Sequence, residues 1–273
     1  MKKHPITQTD YHMHTTFSPD ADHTPEAMCR QALALGLTEI AFTEHAEWHP
    51  KMSLGGLPRL AEYLAEVEAC RVKFGPLGLQ IYVGVELGNP HLYAKEATTL
   101  LAKNRFEVVL ASLHWLDDEN IHDAACFAGR DPDEVYSDYF AELGRMVMNF
   151  EFDIVAHFDR ILWRGTLLGT PLEPRWLEPE IRETLAIIAR YDRVLELNAA
   201  FLAREPHWRP TLVTLFRWFR EEGGRRVVIN SDSHRIGEIG RNRALAEQIL
   251  EKAGFQLPEQ LFRVRTQLEV TPT

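Results

Sequence analysis

The residues with the clearest chemical meaning in this sequence are two histidines, His12 and His14, separated by one residue. Side chains alternate with a period of two along a strand, so a His-x-His pair at a strand end points both imidazoles to the same side. That arrangement suits two ligands on one metal ion. Imidazole favours Zn, Fe or Mn, and carboxylates such as Asp20, Glu86 and Asp232 extend the choice toward harder metals. The sequence therefore indicates a site for divalent metal ions.

Six further apolar runs also end in a residue able to bind a metal or a ligand. The runs cover 40–43, 81–85, 108–113, 154–156, 194–197 and 227–229. The residues that follow them are Glu44-His45, Glu86, His114, His157, Asn198 and Asn230-Ser231-Asp232-Ser233-His234. Short continuous apolar runs are typical of parallel strands buried on both faces, and parallel barrels collect their chemistry at the C-terminal ends of those strands. These positions, distant in the chain, are therefore expected in one small volume.

Amphipathic helical patterns of crossover length separate the apolar runs. They are predicted at about 25–35, 58–74, 90–103, 133–149, 179–190, 211–222 and 242–253. The first has Thr24 as its N-cap, Pro25 as its first residue and Gly36 as its stop. This alternation predicts an α/β fold, a distorted (β/α)7 TIM-like barrel with the active site at the C-terminal ends of the strands. The strand count stays open by one, with the eight-stranded barrel as the alternative.

Length and composition favour one ordinary enzyme domain over residues 1–273. The chain is 45% hydrophobic and 26% charged, and no linker or repeat divides it. No apolar stretch approaches the roughly 20 residues of a membrane helix, and residues 1–5 precede no apolar segment, so a cytoplasmic protein without a membrane partner is expected. A net charge of −10 argues against a nucleic-acid partner. Oligomeric state stays open.

The remaining histidines and the cysteines do not lie at strand ends, so they are not predicted to be metal ligands. Six histidines are expected in loops at the surface: His4, His23, His49, His91, His122 and His207. The cysteines are odd in number and lack zinc-finger spacing, so buried thiols are expected at Cys29, Cys70 and Cys126. The metal-binding prediction is therefore confined to the strand-end residues.

Five segments of the chain carry an ordered set of these strand-end positions. They are Asp10-Tyr11-His12-Met13-His14-Thr15-Thr16-Phe17-Ser18-Pro19-Asp20, Phe42-Thr43-Glu44-His45, Ser112-Leu113-His114, Ala156-His157-Phe158-Asp159-Arg160 and Asn230-Ser231-Asp232-Ser233-His234. In this order they resemble the PHP (polymerase and histidinol phosphatase) family, and most of all its monofunctional histidinol-phosphate phosphatases. The resemblance covers nearly the whole chain.

The resemblance implies a centre of three divalent metal ions (Zn, Fe or Mn). One ion would be held by His12, His14, Glu86 and Asp232. Glu86 would bridge to a second ion, held with His114 and His157. The third ion would be held by Asp20, His45 and His234. All nine positions carry plausible ligand types in this sequence.

The implied reaction is hydrolysis of a small-molecule phosphomonoester, L-histidinol phosphate, to L-histidinol and phosphate in histidine biosynthesis. A hydroxide bridging two metals would attack phosphorus in line without a covalent phospho-enzyme, and no Ser or Cys nucleophile motif is recognisable. Arg160, three residues after His157, and Arg204, after the sixth strand, are the candidates for binding phosphate, because a planar guanidinium matches two phosphate oxygens. Arg235 is a weaker third candidate.

The alcohol half of histidinol phosphate carries an ammonium and an imidazole, which carboxylates and an aromatic wall would suit. The candidates are Glu44, Trp115, Asp117 and Asp118, which lie beside ligand positions. After the sixth strand the family usually has a small polar stretch such as Thr-Ser-Gly, whereas this chain has Ala199-Ala200-Phe201. Other functions stay open: a phosphoesterase for a nucleotide or another small phosphate, an amidohydrolase, or a proofreading module of a polymerase.

Overall fold

Seven parallel strands form a nearly closed barrel in the computed structural model, which describes residues 8–52, 54–204, 206–257 and 261–264. The described residues contain nine strands, seven in the barrel and two in a separate ribbon. In chain order they are β1 Thr9–Asp10, β2 Glu39–Ala46, β3 Gln80–Gly88, β4 Val108–Ser112, β5 Trp115–Leu116, β6 Glu119–Asn120, β7 Ile154–Val155, β8 Val194–Asn198 and β9 Val227–Asn230. β5 and β6 pair only with each other, as an antiparallel ribbon that the sequence pattern does not predict.

The barrel strands are ordered β1-β2-β3-β4-β7-β8-β9, so each strand lies beside its predecessor among the seven. The barrel closes beyond the ends of β1 and β9, where Met13 and Ser233 form a parallel bridge. The His14 N–H donates to the Ser233 carbonyl at 2.8 Å. The predicted (β/α)7 barrel is confirmed, and the eight-stranded alternative is not needed.

Helices cross between the strands on the outside of the barrel. They are α1 Pro25–Ala34, α2 Leu60–Phe74, α3 Ala94–Lys103, α4 Pro132–Asn149, α5 Arg160–Leu167, α6 Glu178–Arg190, α7 Arg209–Glu221 and α8 Arg243–Ala253. The seven predicted helices are confirmed. Their ends differ most at α3, which begins at Ala94 instead of 90. In α1, the Thr24 hydroxyl accepts from the Ala27 N–H, as expected of an N-cap.

The helix that the sequence pattern misses is α5, only 8 residues long. It contains Gly165, which lowers intrinsic helix propensity, and it lacks a side-chain N-cap hydrogen bond. A Cβ at position 165 would collide with the Tyr136 hydroxyl on α4. Tertiary packing therefore requires the glycine and holds the short helix in place, which no local pattern can indicate.

The barrel interior is apolar toward its N-terminal end and polar toward its C-terminal end. The apolar plug consists of Tyr11, Ala41, Tyr82, Val108, Leu110, Ile154, Ala156, Val194 and Val228. Alternate residues of a strand face the same side, so β3 passes from Tyr82 in the plug through Gly84 to Glu86 at the polar end. The same strands that build the plug therefore carry the polar side chains above it.

Two further sequence predictions can be placed in the described structure. Cys29, Cys70 and Cys126 are buried free thiols, as expected. None of the helices in the described ranges is long and apolar enough to cross a membrane. The expectations for residues 1–5, which include His4, lie outside the described residues.

Candidate metal centre

A cavity of about 250 Å³ opens at the C-terminal ends of the barrel strands, and the predicted ligands surround it. His12 and His14 are fully buried beside it. The cavity itself is lined by the other predicted ligands: Asp20, His45, Glu86, His114, His157, Asp232 and His234. The structure therefore brings all nine predicted side chains into one volume, while their role as metal ligands stays a prediction.

Two of the predicted ligands have backbone conformations that non-glycine residues rarely adopt. The φ angles are 25° at His157, just after β7, and 51° at Asp232, just after β9. Left-handed backbone at such residues costs free energy and is concentrated at functional sites. Both residues turn the chain immediately after a buried strand, and in this way their side chains reach the cavity.

Glu86 stands at the centre of the cluster, with its two oxygens facing different histidines. Its Oε2 lies 2.8 Å from Nδ1 of His45 and 3.4 Å and 3.5 Å from Nε2 of His12 and His14. Its Oε1 lies 2.9 Å from Nε2 of His157 and 3.5 Å from Nε2 of His114. A carboxylate that faces two sets of nitrogens through separate oxygens has the arrangement needed to bridge two cations.

The two aspartates complete the cluster on its other sides. Oδ1 of Asp232 lies 3.5 Å from Nε2 of His12 and 3.6 Å from Nε2 of His14. Oδ2 of Asp20 lies 3.2 Å from Nε2 of His234 and 3.5 Å from Nε2 of His45. Asp20 is the more exposed carboxylate, so its group of ligands faces the cavity mouth.

The donor atoms fit divalent metal ions. Within the described residues, buried atoms without a hydrogen-bond partner include Nε2 of His12 and His14, and Nδ1 of His45 and Oε2 of Glu86 lie 2.8 Å apart without forming a hydrogen bond of acceptable geometry. Buried polar atoms are normally satisfied, so this concentration of unsatisfied donors and acceptors fits a site for cations. Four triads have ligand atoms within 4.8 Å of one another: His14-His45-His234, His12-His14-Asp232, His12-Glu86-His157 and His45-Glu47-His114. Imidazole and carboxylate together suit Zn, Fe or Mn.

Without metal, the carboxylates of the cluster stay ionised despite their burial. Burial raises the pKa of Glu86, but the neighbouring His12, His45 and His114 outweigh it and hold that pKa well below its usual range. Burial likewise opposes ionisation of Asp232, but the neighbouring His12, His14 and Arg160 outweigh it, so that pKa is also held well below its usual range. The cluster therefore presents negative charge to a cation.

The histidines divide into two groups by their protonation. Burial lowers the pKa of His14 to about 3, with His45 and His234 adding to the effect, and burial with Arg160 lowers the pKa of His157 to about 4. Burial also lowers the pKa of His114, but Glu47 and Glu86 outweigh it and raise the pKa to about 9. A metal ligand must be deprotonated, so a cation bound here would displace a proton from His114 but none from His14 or His157.

The two predicted phosphate-binding arginines lie in different surroundings. Arg160 is the first residue of α5, lines the cavity and contacts Oδ2 of Asp232 through Nη2 at 2.5 Å. Arg204 is exposed in the segment after β8 and is not among the residues that line the cavity. Arg235 is also exposed and donates to Asp22. The structure therefore brings Arg160 to the predicted ligands and leaves the other two arginines outside.

The Ala199-Ala200-Phe201 stretch, where the chain departs from the family pattern, packs against Arg160. The Arg160 guanidinium lies over the Phe201 ring, 5.4 Å from its centroid. Phe201 in turn stacks on Trp163 of α5 with ring centroids 3.5 Å apart. The unusual aromatic residue thus supports the arginine that faces the cavity.

The three carboxylates predicted to receive the alcohol half of the substrate do not line the cavity, and that prediction is wrong for them. Glu44 is fully buried and accepts from Thr15 and Ser18, because strand alternation turns it away from the face that carries His45. Burial raises the pKa of Glu44 to about 7. Asp117 pairs with Arg130, and Asp118 with Lys51 and His49, outside the cavity.

The outer wall of the cavity contains residues that the sequence analysis did not select, beside the predicted Trp115. They are Glu47, Met52, Asn120, His122 and Asp123. Glu47 could have been predicted from the sequence, since it follows His45 by two residues and strand alternation places both side chains on one face. The other four lie on loops or at the end of the β5–β6 ribbon, where no periodic pattern exists.

Three histidines expected at the surface are instead involved in internal contacts. His49 is buried and stacks on Trp115 with ring centroids 3.7 Å apart. His91 is also largely buried, and its Nε2 lies 2.6 Å from Oε1 of Glu142 on α4. His122 lines the cavity, and burial followed by Arg160 lowers its pKa to about 2. His207 is exposed as expected, and His23 is half-buried.

Comparison with known proteins gives several relatives over most of the chain. The histidinol-phosphatase of Lactococcus lactis subsp. lactis is 27% identical over 253 residues, which cover 92% of this chain and 93% of that protein. A probable histidinol-phosphatase of Deinococcus radiodurans is 27% identical over 240 residues, covering 85% of this chain and 88% of that protein. Sequence similarity is therefore spread along both proteins.

Solved structures agree with this similarity. The histidinol phosphate phosphatase of Lactococcus lactis, in complex with zinc, L-histidinol and phosphate, superposes with a TM-score of 0.82 at 25% identity, over 92% of this chain and 95% of that one. A solved structure from Listeria monocytogenes shares the fold, with a TM-score of 0.72 at 19% identity, over 87% of this chain and 99% of that one. The PHP domain profile matches residues 10–200. With its parallel barrel and its strand-end cluster of histidines and carboxylates, the chain belongs to the PHP domain family.

Proposed function

We propose that this chain is a histidinol phosphatase, a metal-dependent phosphomonoesterase that hydrolyses L-histidinol phosphate to L-histidinol and phosphate in histidine biosynthesis. The observation that carries the proposal is the composition of the cavity of about 250 Å³ at the strand ends: predicted metal ligands and Arg160 form one side, and acidic and aromatic residues form the other. A cavity of this size suits a small phosphomonoester. The likeness to the Lactococcus lactis enzyme bound to L-histidinol and phosphate supports the same substrate.

The proposed centre holds three divalent ions. His12, His14, Glu86 and Asp232 would hold the first. Glu86, His114 and His157 would hold the second, and Asp20, His45 and His234 the third. The separate directions of the two Glu86 oxygens support the bridge between the first two groups. Bound ions would supply the Lewis acidity that activates water and neutralises charge on the phosphoryl oxygens.

Arg160 is proposed to bind the phosphoryl group beside the ions. A guanidinium has five N–H donors in a planar fork, so the contact with Asp232 leaves others that can reach phosphate oxygens. Asp232 and Phe201 hold the guanidinium in place before substrate arrives. A donor that is already oriented can stabilise the developing charge without further reorganisation.

The alcohol half of the substrate is proposed to lie against the outer wall of the cavity. Glu47 and Asp123 would attract its ammonium and imidazole groups, and Trp115 would provide a flat apolar surface. A nucleoside monophosphate has no ammonium for these carboxylates to attract, and the additional phosphates of a nucleoside di- or triphosphate would be repelled. This wall replaces the set of Glu44, Asp117 and Asp118 that the sequence predicted.

The experiment is a substrate panel on protein whose bound metals have been counted. Phosphate release from L-histidinol phosphate should have a kcat/KM at least about 10²-fold above that for nucleoside 5′-monophosphates, because the wall discriminates by charge. Phosphodiesters and amides should be poorer still. Comparable kcat/KM for a nucleotide or a diester would reject histidinol phosphate as the substrate and leave a metal-dependent phosphoesterase. Preferential cleavage of an amide would favour an amidohydrolase.

A further inference from the structure

A fully buried carboxylate, Glu196 on β8, lies directly behind the predicted ligands. Its Oε1 lies 2.8 Å from Nδ1 of His12 and accepts from Nδ2 of Asn230 at 2.8 Å. Its Oε2 accepts the backbone N–H of His157 at 2.7 Å and Nδ2 of Asn198 at 3.3 Å. Both oxygens are thus engaged, and the partners come from four separate segments around the barrel.

The contact with His12 decides which ring nitrogen is free for a metal. An ionised carboxylate only accepts hydrogen bonds, so Nδ1 of His12 must carry the hydrogen. The Nε2 atom then has its lone pair available, and it faces Oε2 of Glu86 at 3.4 Å and Oδ1 of Asp232 at 3.5 Å. Carboxylates that orient a ligating imidazole in this way commonly tune metal affinity.

The contact with His157 acts on the backbone instead of the ring. His157 has φ 25°, and its N–H is directed to Glu196. This conformation places Nε2 of His157 2.9 Å from Oε1 of Glu86. One side chain therefore supports an imidazole on the Oε2 side of Glu86 and a strained turn on the Oε1 side.

We propose that Glu196 is a positioning residue of the metal centre, which holds His12 in its Nδ1–H tautomer and His157 in its left-handed turn so that both Nε2 atoms face Glu86. The inference rests on the proposed metal-dependent function and adds a residue behind the nine predicted ligands. Glu196 contacts neither substrate nor reacting atoms in this role. Its effect should therefore appear in metal binding before any substrate is added.

The test is the isosteric variant Glu196→Gln. The Gln NH₂ would have to face either His12 Nδ1, which would force the hydrogen onto Nε2 and block ligation, or the His157 N–H, which is itself a donor. Affinity for Zn²⁺, measured by competition with a chelator in the absence of substrate, should fall about 10- to 100-fold. The increase in Tm caused by Zn²⁺ should shrink accordingly, because ligand stabilisation follows affinity.

The matched control is Asp153→Asn, since Asp153 also accepts a backbone N–H, that of Val109 at 2.8 Å, but lies just before β7, at the opposite end of the barrel from the predicted ligands. Both variants are expected to lower the Tm of metal-free protein, but Asp153→Asn should keep the Zn²⁺-induced increase. Wild-type Zn²⁺ affinity in Glu196→Gln, with only a lower metal-free Tm, would reduce Glu196 to a structural residue.

A second measurement covers the case in which Glu196→Gln does not fold. In the wild-type Zn²⁺ protein, ¹H–¹⁵N spectra of the histidine rings should show His12 protonated at Nδ1 and its Nε2 bound to metal. An Nε2–H tautomer would overturn the proposal. Neither measurement uses substrate, so failure of the histidinol phosphate assignment would leave this result intact and distinguishable.

Discussion

The two sides of the cavity are built in different ways. The inner side consists of residues on or directly after barrel strands, such as His45, Glu86 and His157, which are buried, and Glu86 contacts both histidines. The outer side consists of Glu47, Met52, Trp115, Asn120, His122 and Asp123, which lie just beyond β2, on loops and on the ribbon. The inner residues are fixed by strand register and packing, whereas the outer residues depend on a few contacts between loops.

Those loop contacts are specific but few. His49 stacks on Trp115, and Lys51 donates to Glu119 at 3.1 Å, which joins the segment after β2 to the ribbon. Arg164 donates to the carbonyl of His122 and joins the ribbon side to α5. A rigid scaffold with variable loops allows specificity to change while the chemistry is retained. We therefore expect changes on the inner side to abolish the reaction and changes on the outer side to alter which substrate is preferred.

The largest expected effect follows removal of the inner carboxylate in Glu86→Ala. Loss of the proposed bridge should remove two metal ions, and kcat/KM should fall by at least about 10³-fold because the ions supply most of the charge stabilisation. Metal analysis and phosphate release on the same samples test this, with the exposed Glu68→Ala on α2 as the control. Near-normal metal content and turnover in Glu86→Ala would contradict the bridged cluster.

A smaller effect is expected where the two sides meet, at Arg160. Loss of an oriented phosphate donor should lower kcat/KM by about 10²- to 10³-fold with metal content unchanged. Arg204→Ala is the matched comparison, because that arginine was predicted from the same reasoning but lies exposed outside the cavity. If Arg204→Ala carries the loss while Arg160→Ala keeps wild-type kinetics, phosphate is bound by the segment after β8.

The smallest effect is expected at the outer wall, in Asp123→Asn. Removing one partly solvated charge should raise KM for L-histidinol phosphate by about threefold to tenfold and leave kcat and metal content unchanged. An aryl phosphate without a cationic group should be hydrolysed as by the wild type, since it has no ammonium to lose contact with. Asp118→Asn, outside the cavity, serves as the control. Equal losses for both phosphates would mean that Asp123 acts on the metal centre and not on specificity.

Strand alternation explains why the inner side was predictable from the sequence. His45 and Glu86 each end a buried apolar run, and a period of two places them on the face that points into the barrel. The same rule turns Glu44, which precedes His45 in β2, to the opposite face and therefore away from the cavity. Glu47 was equally accessible to this reasoning, because it lies two residues beyond His45.

Other features had no local signal. α5 is short and contains a glycine that only contact with Tyr136 explains. His122 and Asp123 lie beyond a two-residue strand, where neither period is present. Glu196 could not be predicted for another reason. It is a single carboxylate inside an apolar strand, and its contact with His12, 184 residues away, is visible only in the folded chain.

The sequence by itself determined the alternation of buried strands and amphipathic helices, and hence the barrel and the residues at its strand ends, because these depend on periods that extend over a few neighbouring positions. The tertiary structure alone decided that Arg160 and not Arg204 faces the cavity, which carboxylates form its outer wall, and that Glu196 contacts two of the predicted ligands at once. These features depend on contacts between segments far apart in the chain, and no short-range periodicity records which of them meet.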